Sequence, residues 1–355
     1  MSEAPCLKVH KTLGARAISL ATGLGLANRC LKVERVDDHL CIPLIREPSQ
    51  VEMERLKEAL LSFEVITYWF SERPKQHPDI VSVLQDKLPP HLLASLPHAI
   101  DFIGTIAVVE IPPKLNNYKR VVGEAILAMN RRLRTVLAKA SPVCGIYRVR
   151  AFEVIAGVEE TETVHKEYDC IFHVDLAKAY FSPRLSHEHD RISSQIGNME
   201  IIIDMFAGVG PFSILIAKRH KNAQVYAIDI NPDAVDYLKR NIIENNVEKN
   251  VVPILGDARQ IIEERFLGVS NRVIMNLPEK AIEYVDAACK ALKPEDGILH
   301  FYTFESEPKP LESASERLTE AVKQTQRNLE KILLTRLVRA TSPFVWQVAV
   351  DAKVR

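Results

Sequence analysis

The sequence predicts an α/β protein: a C-terminal parallel sheet ending in an antiparallel hairpin, preceded by two smaller α+β domains. Three observations predict it. The apolar run Ile201-Ile202-Ile203 closes on Asp204, turns through Phe206-Ala207-Gly208-Val209-Gly210 and enters an apolar segment of helical spacing. That pattern is a buried strand, a glycine-rich loop and a helix, the opening βα unit of a nucleotide-type fold. A second strand-end acid, Asp229 in YAIDINP, follows Gly208 by 21 residues, close to the ~20 that separates such a loop from a ribose-binding carboxylate. Further apolar runs then alternate with helical patterns to the C-terminus.

Three segments follow in order. Residues 1–70 alternate short helical and strand patterns and read as a small N-terminal α+β domain; Ser71 to Pro78 is polar and proline-bearing, a linker. Residues 79–176 form a middle α+β domain. It holds the helix-like IVSVLQDKL, the strand IDFIGTIAVVEI, one long helical pattern from Lys114 to Ala140, and the strands YRVRAFEVIAG and DCIFHVDL. Residues 177–355 carry the strands IIIDMF, QVYAIDI, VVPILGD, NRVIMNLP and GILHFYTF, then KILLTRLVRA and FVWQVAVDAKV. The first five alternate with helices and imply right-handed parallel crossovers. The last two are joined by Thr341-Ser342-Pro343 without a helix and form a hairpin. Five parallel strands capped by an antiparallel hairpin is the architecture of Rossmann-type methyltransferases.

Composition narrows the function classes. Lysine plus arginine and aspartate plus glutamate both number 46, so a nucleic-acid partner would need a local basic surface. Lys119, Arg120, Arg131, Arg132, Arg134 and Lys139 offer one on the long helical pattern; a solvated helix face is the alternative. No apolar run approaches the ~20 residues of a membrane span, and Met1 to Leu20 has no secretory core. The six cysteines are scattered without a C-x-x-C pair, so neither a metal site nor a disulfide framework is expected, and a reducing cytoplasm fits.

The ligand is read from the strand ends, which carry Asp204, Asp229, Asp257 and Asn276. An NAD pyrophosphate is disfavoured: Ser213 stands where a third glycine would be, and Asp204 would repel phosphate. S-adenosylmethionine, with a sulfonium, an α-ammonium group and no phosphate, suits the acids. Gly208 and Gly210 let the chain turn and a ligand approach, with Phe206 beside them. Asp229 would hold the ribose hydroxyls, and Asp257, with the Ala258 backbone, the adenine amino group. The fourth strand ends Asn276-Leu277-Pro278-Glu279 without the double proline and aromatic of an exocyclic-amine methyltransferase.

The stretches YRVRAFEVIAG, TVHKEYDCIFHVDLAKAYFSPRL, EHDRI, DMFAGVGPF, AIDINP and NRVIMNLPEKA occur in that order over roughly the last 210 residues. Together they resemble the archaeal and eukaryotic tRNA (guanine-37-N1)-methyltransferases of the Rossmann-fold type. The resemblance implies methyl transfer from S-adenosylmethionine to N1 of guanine 37 in a tRNA anticodon loop, with the base splayed out of the loop. It places Arg148 as the catalytic arginine and Glu188 as the general base. It puts Tyr180, His189, Asp229, Ile230, Asp257, Ala258, Asn276 and Pro278 around the methyl donor, the His189 position alternating with arginine across the family. Asn276 and Pro278 also face the substrate, and Arg131, Arg132 and Arg134 would contact phosphate, which positions without reading sequence. A cytoplasmic monomer is expected. The competing readings are a wybutosine-pathway enzyme (aminocarboxypropyl transfer, or C-methylation of a tricyclic guanine), a non-catalytic tRNA-binding protein and an NAD oxidoreductase.

Overall fold

The structure, a computed structural model, describes residues 2–28, 30–60, 62–72, 80–97, 99–295 and 297–355. Two compact units are formed, Met1–Asp79 and Ile80–Arg355. The linker expected at Ser71 to Pro78 lies, from Arg73 onward, outside the described residues.

The first unit is an antiparallel sheet whose central strand, Ser2–His10, pairs with His39–Pro43 and Glu64–Phe70. Helices Gly14–Gly23 and Gln50–Ala59 accompany it, and Leu7, Val9, Ala17, Leu26, Ile42 and Leu56 form its core. Gln50–Ala59 starts at a Ser49/Glu52 capping box, which satisfies backbone donors the helix cannot.

In the second unit, the strands Ile100–Ile103, Ile106–Val109, Thr135–Lys139 and Phe152–Gly157 form a four-stranded sheet. The single strand expected in IDFIGTIAVVEI is therefore a hairpin. Gly104 turns at φ +55°, where an added Cβ would lie 2.3 Å from the Val164 carbonyl oxygen. The long basic helix is also divided, into a 3-10 turn Pro113–Tyr118, a helix Lys119–Met129 and the strand Thr135–Lys139. Asn130 ends the helix in extended backbone, and its Oδ1 accepts the Arg132 N–H at 3.0 Å. β-Branched Thr135 and Val136 then pair as a strand beside Ile106 and Ala107. Arg131, Arg132 and Arg134 consequently stand exposed in a loop, not on a helix face.

The larger sheet has seven strands: β1 (Ile201–Asp204), β2 (Gln224–Asp229), β3 (Val251–Leu255), β4 (Arg272–Met275), β5 (Gly297–Ser306), β6 (Leu329–Ser342) and β7 (Val345–Val354). Their order is β3-β2-β1-β4-β5-β7-β6. The first five are parallel neighbours, and β7 pairs antiparallel with both β5 and β6. The connecting helices are α1 (Ser186–Ser193), α2 (Pro211–Arg219), α3 (Pro232–Glu244), α4 (Ala258–Arg265), α5 (Val285–Ala291) and α6 (Pro310–Lys323). β1 shows why both faces are covered: Ile202 packs with Phe212, Leu215 and Leu238, while Ile203 packs with Ile262, Val285 and Leu318. A strand buried on both faces reads as a continuous apolar run, the pattern seen at 201–203.

A two-stranded hairpin, Glu162–Glu167 with Cys170–Asp175, leans on α3. Asn241 and Asn245, one helical turn apart, each bond both backbone groups of a hairpin residue, His173 and Ile171 respectively. Its edge is thereby satisfied by side chains instead of a further strand.

Candidate active site

A crevice opens at the carboxyl ends of β1, β2 and β4, where an open parallel sheet binds ligands. Its wall includes Tyr180, His189, Phe206, Gly208, Asp229, Ile230, Asn276 and Pro278, joined from the middle domain by Arg148. A wider cleft of about 720 Å³ continues from it along Arg148, Tyr180, Phe304 and Arg339 toward Lys139, Arg150 and Arg184.

Gly208 and Asp229 build the floor. Asp229 Oδ2 accepts the Gly208 N–H at 2.7 Å and Oδ1 the Asn231 N–H at 2.9 Å. Burial pushes the Asp229 carboxyl up, and the N–H bonds from Asn231, Gly208 and Ile230 oppose it. Each oxygen keeps a further lone pair for a ligand donor. Gly208 sits at φ +57°, and the first atom an added Cβ would meet is the Tyr180 carbonyl oxygen at 3.7 Å. The backbone is thus open on its ligand side. Gly210 is different: at φ +93° its Cβ would lie 2.4 Å from Leu238 Cδ1. It serves the packing of α2 against α3 and does not line the crevice.

The other acids are used by the protein. Asp257 Oδ1 caps α4 by accepting the N–H groups of Arg259 and Gln260, and neither it nor Ala258 lines the crevice wall. Asp204 is fully buried and accepts the Ser213 hydroxyl at 2.7 Å. Burial, opposed by that bond and assisted by the Asp229 charge, drives its carboxyl from 3.8 up to about 7. Folded Asp204 therefore holds a proton that the unfolded chain releases above pH 3.8. Its contribution to stability is complete below about pH 4 and is lost as pH rises toward 7. Asp204→Asn stays neutral, so its melting temperature relative to wild type should be higher at about pH 8 than at about pH 5. A difference that does not change with pH would refute the assignment.

Arg148 was expected in a strand and lies in a turn. Gly145, at φ +72°, starts the reversal, Arg148 itself adopts φ +55°, and a Cys144–Val149 bridge closes it. The left-handed conformation costs a non-glycine residue roughly 1 kcal/mol, and it aims the guanidinium at the crevice. There Nη1 and Nη2 donate to Glu279 Oε2 and Oε1 at 2.8 and 3.3 Å, and the guanidinium carbon lies 5.7 Å from the Tyr180 ring centre. Arg339, on β6, donates to Gln347, Ser182 and the Tyr180 hydroxyl, and Gln347 donates to Asn276 Oδ1 at 3.4 Å.

Glu188 lies on α1, 2% exposed, behind the crevice wall. Its Oε2 accepts the Tyr302 hydroxyl and Arg191 Nε, both at 2.9 Å. Oε1 makes no hydrogen bond; Arg336 Nη1 is 3.4 Å away. Arg191 in turn pairs with Asp351, which accepts from His300.

Sequence reasoning missed Glu279, Arg339 and Gln347. The available signal for Gln347 was a polar residue inside the apolar run of β7. Glu279 bonds Arg148 and Arg339 bonds Tyr180 and Ser182, 131, 159 and 157 residues apart, separations that leave no local pattern.

Residues 163–330 match the TRM5/TYW2 methyltransferase domain, and residues 80–161 match the TYW2 N-terminal domain. The tRNA (guanine(37)-N(1))-methyltransferase Trm5b of Pyrococcus abyssi is 37% identical over 334 residues, 93% of each chain. The solved structure of Trm5b from that organism superposes with a TM-score of 0.72 at 34% identity, covering 99% of both chains. A complex of aTrm5 with tRNALeu has a TM-score of 0.68 at 31% identity, covering 98% of this chain and 99% of that one. A Methanocaldococcus jannaschii tRNA(Phe) (4-demethylwyosine(37)-C(7)) aminocarboxypropyltransferase is 35% identical over 71% of this chain and 96% of its own. A solved complex of M. jannaschii TYW2 with AdoMet has a TM-score of 0.56 at 30% identity, covering 72% and 99%. With this fold, this crevice and full-length likeness at these identities, the chain belongs to the TRM5/TYW2 methyltransferase family.

Proposed function

We propose that this chain transfers a methyl group from S-adenosylmethionine to N1 of guanine 37 in tRNA. The observation that carries the reading is the meeting, in one crevice, of the Gly208–Asp229 floor, Asn276 and Pro278 from the sheet, and Arg148 from the middle domain. An open glycine backbone beside a half-buried carboxylate with spare lone pairs fits a ribose, and that carboxylate disfavours a phosphate at the same place. Bound there, the donor supplies a methyl group on a sulfonium, a leaving group that needs neither metal nor covalent nucleophile.

The residues divide the remaining work. Asp229 orients the nucleoside part of the donor, and Tyr180, Asn276 and Pro278 shape the space between donor and base. Guanine N1 carries a proton that must leave as methylation proceeds, and negative charge then grows on O6. Arg148, once released from Glu279, presents a planar donor fork to that oxygen. Glu188 takes the proton on Oε1, whose partner oxygen is fixed by Tyr302 and Arg191. This requires the Arg336 side chain, 43% exposed, to yield to the incoming base. Arg131, Arg132 and Arg134 hold phosphates. The same reading includes a three-part layout (1–70, 79–176, 177–355) and a cytoplasmic monomer. Among the described residues, no helix is long and apolar enough to cross a membrane.

Methyl transfer to transcripts differing only at position 37 tests it. Incorporation with guanine and none with adenine is expected; equal incorporation, or none with either, would refute it. The likeness to an aminocarboxypropyltransferase motivates the second reading, and the mass of the modified nucleoside separates the two. The glycines give an independent check. Gly208→Ala should keep the fold, at a cost of about 1–2 kcal/mol for the left-handed backbone, and lose donor affinity because its methyl enters the crevice. Gly210→Ala should lose more stability than Gly208→Ala while keeping more donor affinity, because its methyl displaces Leu238 Cδ1 in the core and not a ligand. Melting curves paired with donor titration distinguish them, and the reverse pattern would contradict the assignment.

A further inference from the structure

Behind Glu188 runs a chain of buried polar and charged groups that no step above uses. Asp351, on β7, and His300, on β5, are cross-strand partners inside the sheet, 2% and 0% exposed. His300 Nδ1 lies 2.8 Å from Asp351 Oδ1, and Arg272 Nη1, on β4, lies 3.3 Å from His300 Nε2. A guanidinium can only donate, so Nε2 accepts and the ring proton sits on Nδ1, donated to Asp351. His300 is therefore neutral, in keeping with burial, which pushes the imidazole down against the opposing Asp351. Burial raises the Asp351 carboxyl, but bonds from His300 and Arg191 hold it well below the usual carboxylate range. Asp351 is thus an anion.

Arg191 joins this chain to the base. Its Nε and Nη2 face Glu188 Oε2 at 2.9 and 2.8 Å, while Nη1 donates to Asp351 and Nη2 also lies 3.3 Å from Asp351 Oδ1. One guanidinium is divided between two carboxylates, and the Glu188–Arg191–Asp351 trio is net negative. Tyr302, fully buried on β5, donates its hydroxyl to the same Glu188 Oε2 at 2.9 Å. The hydrogen bonds to the carboxylate fall on Oε2 and none on Oε1. The charged and titratable groups facing Glu188 are Arg191 on its own helix, Tyr302 on β5 and Arg336 on β6, with Asp351 behind Arg191. Elsewhere on α1, His189 pairs with Glu167 and Asp190 with Arg219 of α2. Buried charges cost more than apolar residues of similar volume, so a core selected only for stability would not require this chain.

We propose that Tyr302 and Asp351 are positioning residues that tune the proton affinity of Glu188 in opposite senses. Tyr302 bonds the charged carboxylate and weakens its hold on a proton, whereas Asp351 draws off part of the Arg191 charge and strengthens it. Together they lock Oε2 and leave Oε1 to receive the guanine N1 proton. The inference rests on Glu188 acting as the base, as read above.

Single-turnover methylation of a guanine-37 transcript by the full chain, measured as a function of pH, tests it. Wild type should lose rate on the acid side, where Glu188 takes up a proton, and the residual rate of Glu188→Gln should show no such limb. Asp351→Asn should move the midpoint of the limb down by about one pH unit, because Arg191 then turns its whole charge to Glu188. It should also lower the plateau severalfold, since a weaker base takes the proton less readily. Tyr302→Phe should move the midpoint up, because a hydrogen bond to the charged form is gone. Donor affinity close to wild type in both variants shows that they are folded. A purely structural role would lower the rate and leave the limb in place, and that result, or shifts of the same sign, would overturn the proposal. Should Asp351→Asn fail to fold, Tyr302→Phe decides: an upward shift sustains the clamp on Oε2, and an unmoved limb overturns it. A wild type without an acid limb, or a limb retained by Glu188→Gln, would overturn Glu188 as base and this inference with it.

Discussion

Arg148→Ala is expected to lower kcat for methyl transfer by about 10²–10³, the usual loss when one preorganised donor is removed from a developing oxyanion. Donor affinity should change little, because the groups assigned to the donor lie on the Gly208–Asp229 floor, His189 and the β4 end. The structure shows why alanine removes more than a charge. The guanidinium bridges the middle-domain turn to Glu279 and stands over Tyr180, so its loss also frees the turn from the sheet. Arg148→Lys separates the two effects. A lysine keeps the charge and can reach one Glu279 oxygen, but it lacks the planar fork; it should recover little of the rate. Single-turnover rates at saturating tRNA check this, and a rate within a small factor of wild type in either variant would refute the role.

Glu188→Gln should slow the chemical step by about 10²–10⁴, the range for loss of a general base. The substitution is nearly isosteric. With its amide oxygen toward Tyr302 and Arg191, the side chain keeps both existing hydrogen bonds, so the melting temperature and donor affinity should stay close to wild type. What disappears is a proton acceptor at the Oε1 position. A variant that unfolds, with no activity, would point to a structural duty in the Arg191–Asp351–His300 network. Glu188→Gln with intact stability and full activity would remove Glu188 from the mechanism.

Much of the methyltransferase sheet is legible in the sequence, because strands buried on both faces leave uninterrupted apolar runs and the polar ends mark where each stops. Asp204 and Asp229 both appear as strand-end acids, yet the structure gives them opposite duties. Asp204 is enclosed and paired with Ser213, whereas Asp229 reaches the crevice floor. Nothing in IIIDMF or YAIDINP distinguishes them, since the difference lies in which helix covers each carboxylate. Local pattern fails where a single residue redirects the chain. Gly104 splits an apparent strand, Asn130 halts an apparent helix of nearly uniform helical spacing, and Gly145 turns Arg148 out of the strand its alternation suggests. Glu279 is invisible for another reason: its partner Arg148 lies 131 residues away, and only the fold brings them together.

A crystal structure of the full chain with S-adenosylhomocysteine tests the central assignment most directly. The adenosyl group is expected in the crevice, with its ribose hydroxyls on Asp229 and its backbone contact at Gly208. The amino-acid end should run toward His189, and the sulfur should face the cleft that holds Arg148. Ligand bound elsewhere, with the crevice filled by protein side chains or Asp229 turned away, would contradict the account.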